Sequence, residues 1–352
     1  MWVVLFSFAV AVATLAPNSL SADHAIGVSP TSLPLTLDDH YLTEEVRSAF
    51  QRPDDIPYPT DNPYRHDVAV LGKMLFFDPR LSGSQNISCS TCHNPSFGWA
   101  TPVHPVPNET NEVRRHAPSI VNAAWITPLF WDGRAPTLEE QAVGPIEDPN
   151  EMASNFDTII RRLHKVRNYR EWFDASFPDE GISEATIVAA LATYQRTIVS
   201  GISPFDQWLA GDPQAISEQA KRGFALFRGR AKCIECHEGW LFTNNGMHDI
   251  GLSGVDRGQG ELPGQPPEAE FRFKTPGLRN IAMRAPYMHN GSIPDLRGVI
   301  LHYANGGSIW INRRTEIEPF EISESEVNEI VAFLNTLTAT NSVSQAPILP
   351  SN

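Results

Sequence analysis

Two segments of the chain read Cys-x-x-Cys-His, and between them they use all four cysteines: Cys89-Ser90-Thr91-Cys92-His93 and Cys233-Ile234-Glu235-Cys236-His237. In this pattern two thiols add across the vinyl groups of a porphyrin and the adjacent histidine becomes an axial ligand of the iron, so the spacing predicts two covalently bound c-type haems. Other uses of paired cysteines fit less well. Zinc-ribbon pairs stand about 15–20 residues apart, whereas these two lie in opposite halves of the sequence. A thioredoxin-like pair needs no following histidine and would not be doubled. A disulfide framework would need more than four cysteines in a chain of 352 residues.

What such irons can do depends on their remaining ligands. An iron with histidine on one side and nothing on the other binds peroxide; one capped on both sides only passes electrons. Beyond His93 and His237, the side chains able to reach an iron include His104, His116, His248, His289, His302, Met283, Met288 and Tyr303. Spacing does not choose among them, and each also fits an ordinary surface or core position.

The elements that must position these groups read as mostly α. Leu71-Gly72-Lys73-Met74-Leu75-Phe76 precedes the first motif and Arg222-Gly223-Phe224-Ala225-Leu226-Phe227 the second, each as a short amphipathic helix running into a haem loop. Helical patterns follow over Asn155–Val166 and Ser183–Val199, the latter with Ile187, Val188, Leu191, Gln195 and Ile198 at helical spacing. Ser200–Asp212 carries Gly, Pro and Asp and reads as a bridge between domains; Arg52–Tyr64 and Gly254–Glu270 read as irregular. A last helix starts at Ser323, where Glu326 completes a capping box, and Val327, Ile330, Val331, Leu334 and Leu337 form one apolar face. The expected plan is a signal segment over 1–22, an N-terminal haem domain over 37–200 and a C-terminal haem domain over 201–340, both cytochrome c-like.

The apolar run Trp2–Ala16 is broken only by Ser7 and Thr14 and suits the core of a secretory signal, although no Lys or Arg precedes it; retention as an anchor is the alternative. In bacteria haem is attached covalently outside the cytoplasm, so the expected location is the periplasm, with no stable membrane span. A net charge of −14 argues against nucleic acid and leaves a basic protein partner open.

Longer motifs give the chain a resemblance. Phe130-Trp131-Asp132-Gly133-Arg134-Ala135, Gln141-x-x-x-Pro145, Asp148-Pro149-Asn150-Glu151-Met152, Lys274-Thr275-Pro276-Gly277-Leu278-Arg279-Asn280 and Pro286-Tyr287-Met288-His289-Asn290-Gly291 occur in this order. Together they resemble the bacterial di-haem cytochrome c peroxidase and MauG superfamily, from about Leu71 to Leu337. The resemblance implies a first haem that reacts with peroxide and a second that handles electrons. It implies Glu151 as distal acid–base, Gln141 and Pro145 as pocket walls, and Trp131 as the tryptophan between the haems. Read alone, Glu151 fits a first-turn helix residue before Met152-Ala153, and Trp131 a core tryptophan, buried in either case.

Within the superfamily, peroxidases place a methionine on the second iron where MauG places a tyrosine; here that position falls on Tyr303, with Met288, His289 and His302 as competitors. His104 lies near the peroxidases' blocking histidine but out of register, so the first haem is expected to be open. The family's calcium site reads differently here, with His116 in Arg115-His116-Ala117-Pro118 and Arg284 before Pro286. Calcium is therefore left open, and a guanidinium or a water is expected in the ion's place. The tryptophan that MauG uses for electron exit is Ala231 here; Trp240 is the nearest substitute, and packing against a haem edge explains it equally well.

The expected function is peroxide-dependent oxidation of side chains in a partner protein, as in maturation of a tryptophan-derived quinone cofactor. Its rival is reduction of hydrogen peroxide to water with electrons from a small c-type cytochrome or cupredoxin. A non-catalytic di-haem carrier is the third reading.

Overall fold

In a computed structural model, residues 41–102, 115–308, 315–340 and 344–351 are described; His104 and the expected signal segment lie outside them. The described residues form helices α1 (Glu44–Phe50), α2 (His66–Phe76), α3 (Cys89–Cys92), α4 (Leu138–Glu147), α5 (Phe156–Leu163), α6 (Arg167–Ser176), α7 (Glu184–Arg196), α8 (Pro204–Leu209), α9 (Glu218–Arg228), α10 (Leu296–Ala304) and α11 (Glu324–Asn335). The two short strands β1 (Met247–His248) and β2 (Phe273–Lys274) pair antiparallel. The mostly α expectation stands. No described helix is long and apolar enough to cross a membrane.

Local sequence explains where the helices start. Ser183 and Thr186 close a capping box on α7, and Ser323 with Glu326 does the same for α11. Ser200–Asp212 is more than a bridge: Ser203 caps α8, and Pro204 sits in its first turn, where its missing N–H costs nothing.

The same packing device occurs twice. On α2, a Cβ at Gly72 would lie 1.9 Å from the Ala190 carbonyl oxygen of α7; on α9, a Cβ at Gly223 would lie 1.9 Å from the Glu329 carbonyl oxygen of α11. Only glycine lets these backbones touch. Around the first crossing, Leu75, Phe76, Leu163, Ile187 and Leu191 form an apolar core. Around the second, Phe224 meets Phe205 at 5.2 Å and Phe333 at 5.1 Å between ring centroids, in the tilted and edge-on arrangements aromatic rings favour. Each crossing leads directly to a Cys-x-x-Cys-His loop.

Candidate active site

Both motif histidines are held by main-chain carbonyls. His93 Nδ1 lies 3.3 Å from the Trp99 carbonyl oxygen and His237 Nδ1 2.9 Å from that of Phe242; main-chain groups of Pro118 and Pro276 also bond to the respective rings. A carbonyl accepts, so Nδ1 carries the proton and Nε2 is left with its lone pair, the form in which imidazole binds a metal. Burial holds both rings neutral, pushing His237 down to about 4. The four cysteines are unpaired thiols, and burial pushes Cys89 and Cys233 up to about 12. Protonated paired thiols beside an oriented neutral imidazole fit a c-type haem on each side.

The similarity of the halves extends well beyond these loops. Without a gap, Arg115–Glu147 aligns with Phe273–Asn305, matching Pro118 with Pro276, Asn122 with Asn280, Pro128 with Pro286, Gly133 with Gly291, Pro136 with Pro294 and Leu138 with Leu296. Backbone geometry follows residue by residue. Asn122 (φ 62°) matches Asn280 (φ 59°), Phe130 (φ 64°) matches Met288 (φ 74°), and the bridge Leu129–Ala135 matches Tyr287–Ile293. The helix caps Thr137 and Asp295 also correspond, so α4 corresponds to α10.

The two copies face each other reciprocally. His116 N–H donates to the His289 carbonyl at 2.6 Å, and its counterpart Lys274 N–H donates to the Trp131 carbonyl, the counterpart of His289, at 2.7 Å. A local pseudo-two-fold axis therefore runs through the seam, near Arg115, whose guanidinium lies 5.6 Å from the ring of its own counterpart Phe273.

Beside His93 lies a pocket with about 610 Å³ of unfilled space, partly open to solvent. It adjoins a larger cavity, about 1660 Å³ and partly open to solvent, that runs along the seam. Glu151, Gln141 and Pro145 line both, as the resemblance implies, together with Gln195. Glu151 does not begin a helix. It lies in the turn after α4, its N–H bonded to the Asp148 carbonyl at 3.0 Å, and α5 starts only at Phe156 with Asn155 as cap. Burial raises its pKa, Asp148 adds to the rise and Arg134 opposes it. Its charge in turn reaches both Cys89 and Cys92.

Trp131 stands in the wall of the seam cavity, half-buried rather than sunk in a core. Its indole N–H donates to the His116 carbonyl at 2.7 Å, and its ring meets His289 edge-on at 6.5 Å. Asp132 beside it is buried between Arg115 and Arg134, and Arg115 reaches on to Asp256, with Nε 2.7 Å from a carboxylate oxygen.

In the second copy, Tyr303 occupies the position of Pro145 in the first. It is half-buried; burial raises its phenol pKa, with further contributions from Cys233 and Cys236, so it lies on the side of the second haem loop. Several competitors are engaged elsewhere. His302 Nε2 is 2.8 Å from the Ile250 carbonyl oxygen, His116 Nε2 is bonded to the Thr101 carbonyl, and His289 is stacked on Phe273 at 3.6 Å; His248 holds Glu316 through Nδ1 at 2.7 Å and keeps a buried Nε2 without a partner among the described residues. Ala231 is buried. Trp240 packs edge-on against Trp125 at 4.9 Å, with the guanidinium groups of Arg52 and Arg279 within 5.5 and 6.0 Å of its ring. Cations over an indole face disfavour taking an electron from it, so packing explains Trp240 better than electron exit.

Sequence reasoning assigned no role to Gln195, Arg115 or Arg134. In the sequence Gln195 is only a position on a helical face; burial of its amide on the cavity wall distinguishes it.

Comparison with known proteins agrees with this geometry. Residues 66–214 match the family model described as di-haem cytochrome c peroxidase. The methylamine utilization protein MauG of Methylophilus methylotrophus is 44% identical over 86% of this chain and 92% of its own. The cytochrome c551 peroxidase of Nitrosomonas europaea is 35% identical over 84% of this chain and 86% of its own. Among solved structures, a MauG-like protein associated with microbial copper homeostasis superposes with a TM-score of 0.75 at 32% identity, over 83% of this chain and 95% of its own. The chain thus belongs to the di-haem cytochrome c peroxidase family, as a peroxide-dependent di-haem oxidoreductase with greater similarity to MauG than to the cytochrome c551 peroxidase.

Proposed function

We propose that this protein acts in the periplasm as a MauG-like oxidase of a partner protein, using hydrogen peroxide to oxidise side chains, as in maturation of a tryptophan-derived quinone cofactor. The observation that carries the reading is the correspondence of Pro145 with Tyr303. Proline has no group to offer an iron, whereas the tyrosine oxygen would be able to hold the iron of a second haem. The division into an N-terminal haem domain over 37–200 and a C-terminal one over 201–340 belongs to the same reading; the duplicated helix crossings and haem loops support it, within a single compact unit.

Cys89, Cys92 and His93 hold the first haem, and Cys233, Cys236, His237 and Tyr303 the second. When bound, the haems would supply the redox chemistry, reducing peroxide and drawing two electrons from the partner protein. The remaining work belongs to the protein. Glu151, its pKa raised by burial, accepts the proton of one peroxide oxygen and returns it to the other, so that the departing oxygen leaves as water. Gln141, Pro145 and Gln195 confine that space. Trp131, held by the His116 carbonyl at the seam, offers an indole through which an electron can pass in two shorter steps rather than one long one.

The test is to mix the fully oxidised holoprotein with one equivalent of peroxide. A long-lived product, oxidised by two electrons without prior reduction and unable to turn over reduced cytochrome c rapidly, is expected. A requirement for half-reduction, with rapid oxidation of the cytochrome, would establish the peroxidase reading instead.

A further inference from the structure

The seam cavity contains two cations that no described carboxylate neutralises. Its other arginines are paired: Arg115 with Asp132 and Asp256, Arg134 with Asp132, and Arg279 with Asp206. Lys274 is only 9% exposed and lines the cavity, and among the described residues its ammonium has neither a hydrogen bond nor an ion pair. Arg284 lines the same wall. Its Nη2 donates to the Gly277 carbonyl at 2.7 Å, while its Nε is buried without a partner. Its stem is wedged against the first haem loop, where a Cβ on Gly98 would lie 3.1 Å from Arg284 Cγ.

Burying a charge without compensation is costly, and both groups show it. Burial first, and the field of Arg284 second, push Lys274 down to about 8; burial pushes Arg284 down to about 10, with Tyr287 opposing. The pair also breaks the pseudo-two-fold symmetry. The counterparts of Lys274 and Arg284 are His116 and Ile126, so the positive charge lies on one side only. A ligand completing this site must bring anionic oxygens into an enclosed space next to the motif loops.

We propose that Lys274 and Arg284 form a carboxylate-binding pair that holds the propionate groups of haem in the seam cavity. This rests on the haem reading above, which the first measurement below tests separately. A planar guanidinium and a compact ammonium together can hold two carboxylate groups without an intervening divalent cation.

The experiment uses holoprotein whose haem is labelled with ¹³C at the propionate carboxyls through labelled 5-aminolaevulinate. Alkaline pyridine absorbance first counts covalent haem; fewer than two per wild-type chain would sink the functional reading rather than this one. Redox-difference infrared spectra are then compared for wild type, Lys274→Gln, Arg284→Gln and Arg284→Lys. The labelled carboxylate bands are expected to shift in both Gln variants and by an intermediate amount in Arg284→Lys, with a fall in the midpoint potential of one haem in the Gln variants. Bands at wild-type positions in all variants would overturn the proposal. So would a saturable response of the wild-type bands to added acetate or phosphate, which would mean that the site takes a free anion. If the Gln variants fail to load haem, the charge-retaining Arg284→Lys decides: a shifted band supports the proposal and an unshifted one overturns it.

Discussion

At the level of single residues, one duplicated position carries Pro145 in the first copy and Tyr303 in the second. Replacing the hard phenolate of Tyr303 by a thioether should favour ferrous iron, so Tyr303→Met is expected to raise the potential of the second haem; an unchanged potential and spectrum in a redox titration would contradict the ligand. Glu151→Gln should slow peroxide activation about 10²–10⁴-fold, the range for loss of a general acid–base group. Because the carboxylate must be ionised to take the first proton, and its pKa is raised, peroxide activation in wild type should increase with pH through a limb above the ordinary carboxyl value of 4.5. Stopped-flow rates across pH should show that limb in wild type and lose it in Glu151→Gln. With His116 bonded to Thr101 and Arg284 at the seam, metal analysis should find no tightly held calcium; one ion per chain would refute this. The motif cysteines and histidines were legible at once because covalent attachment fixes their spacing. Glu151 and Tyr303 came only through resemblance, because the side of the haem opposite the histidine is built from sequence far from it. Of the site of Lys274 and Arg284 only the guanidinium in the calcium position was legible, since the absence of counter-ions is a property of the fold.

At the scale of elements, the two glycine crossings carry the architecture. Gly223→Ala would drive a methyl into the Glu329 carbonyl and should destabilise the protein by about 1–3 kcal/mol or more, as overpacking does. Denaturant titration of the variant checks this, and a loss below about 0.5 kcal/mol would mean that α9 and α11 part easily. Helices with clear caps and apolar periodicity, α7 and α11, could be read from sequence. Helix α4 could not, because Pro145 interrupts its pattern near the C-terminal end. In α10, Gly298 and His302 dilute the stripe of Leu296, Ile300 and Ala304. Helix α8 was hidden because Pro204 reads as a breaker unless it is recognised as a first-turn residue. The alignment of Arg115–Glu147 with Phe273–Asn305 was present in the sequence but rests on few identities, mostly Pro, Gly and Asn at turns. Matching backbone angles make it plain.

At the scale of the whole molecule, the duplicated copies meet through reciprocal main-chain bonds and one charged network. Arg115 joins Asp132 of the first copy to Asp256, in the segment that precedes the second. Arg115→Met would leave Asp256 buried without that partner and should cost about 3 kcal/mol, the scale for breaking a buried pair by removing one member; thermal melting of the holoprotein checks it. The central claim is that two similar modules hold irons with unlike surroundings. Electron paramagnetic resonance of the fully oxidised holoprotein tests it most directly. One high-spin ferric signal from the open haem, beside one low-spin signal from an iron with histidine and tyrosine oxygen, is the predicted result. Two low-spin signals with nitrogen or sulfur on both faces of each iron would contradict it.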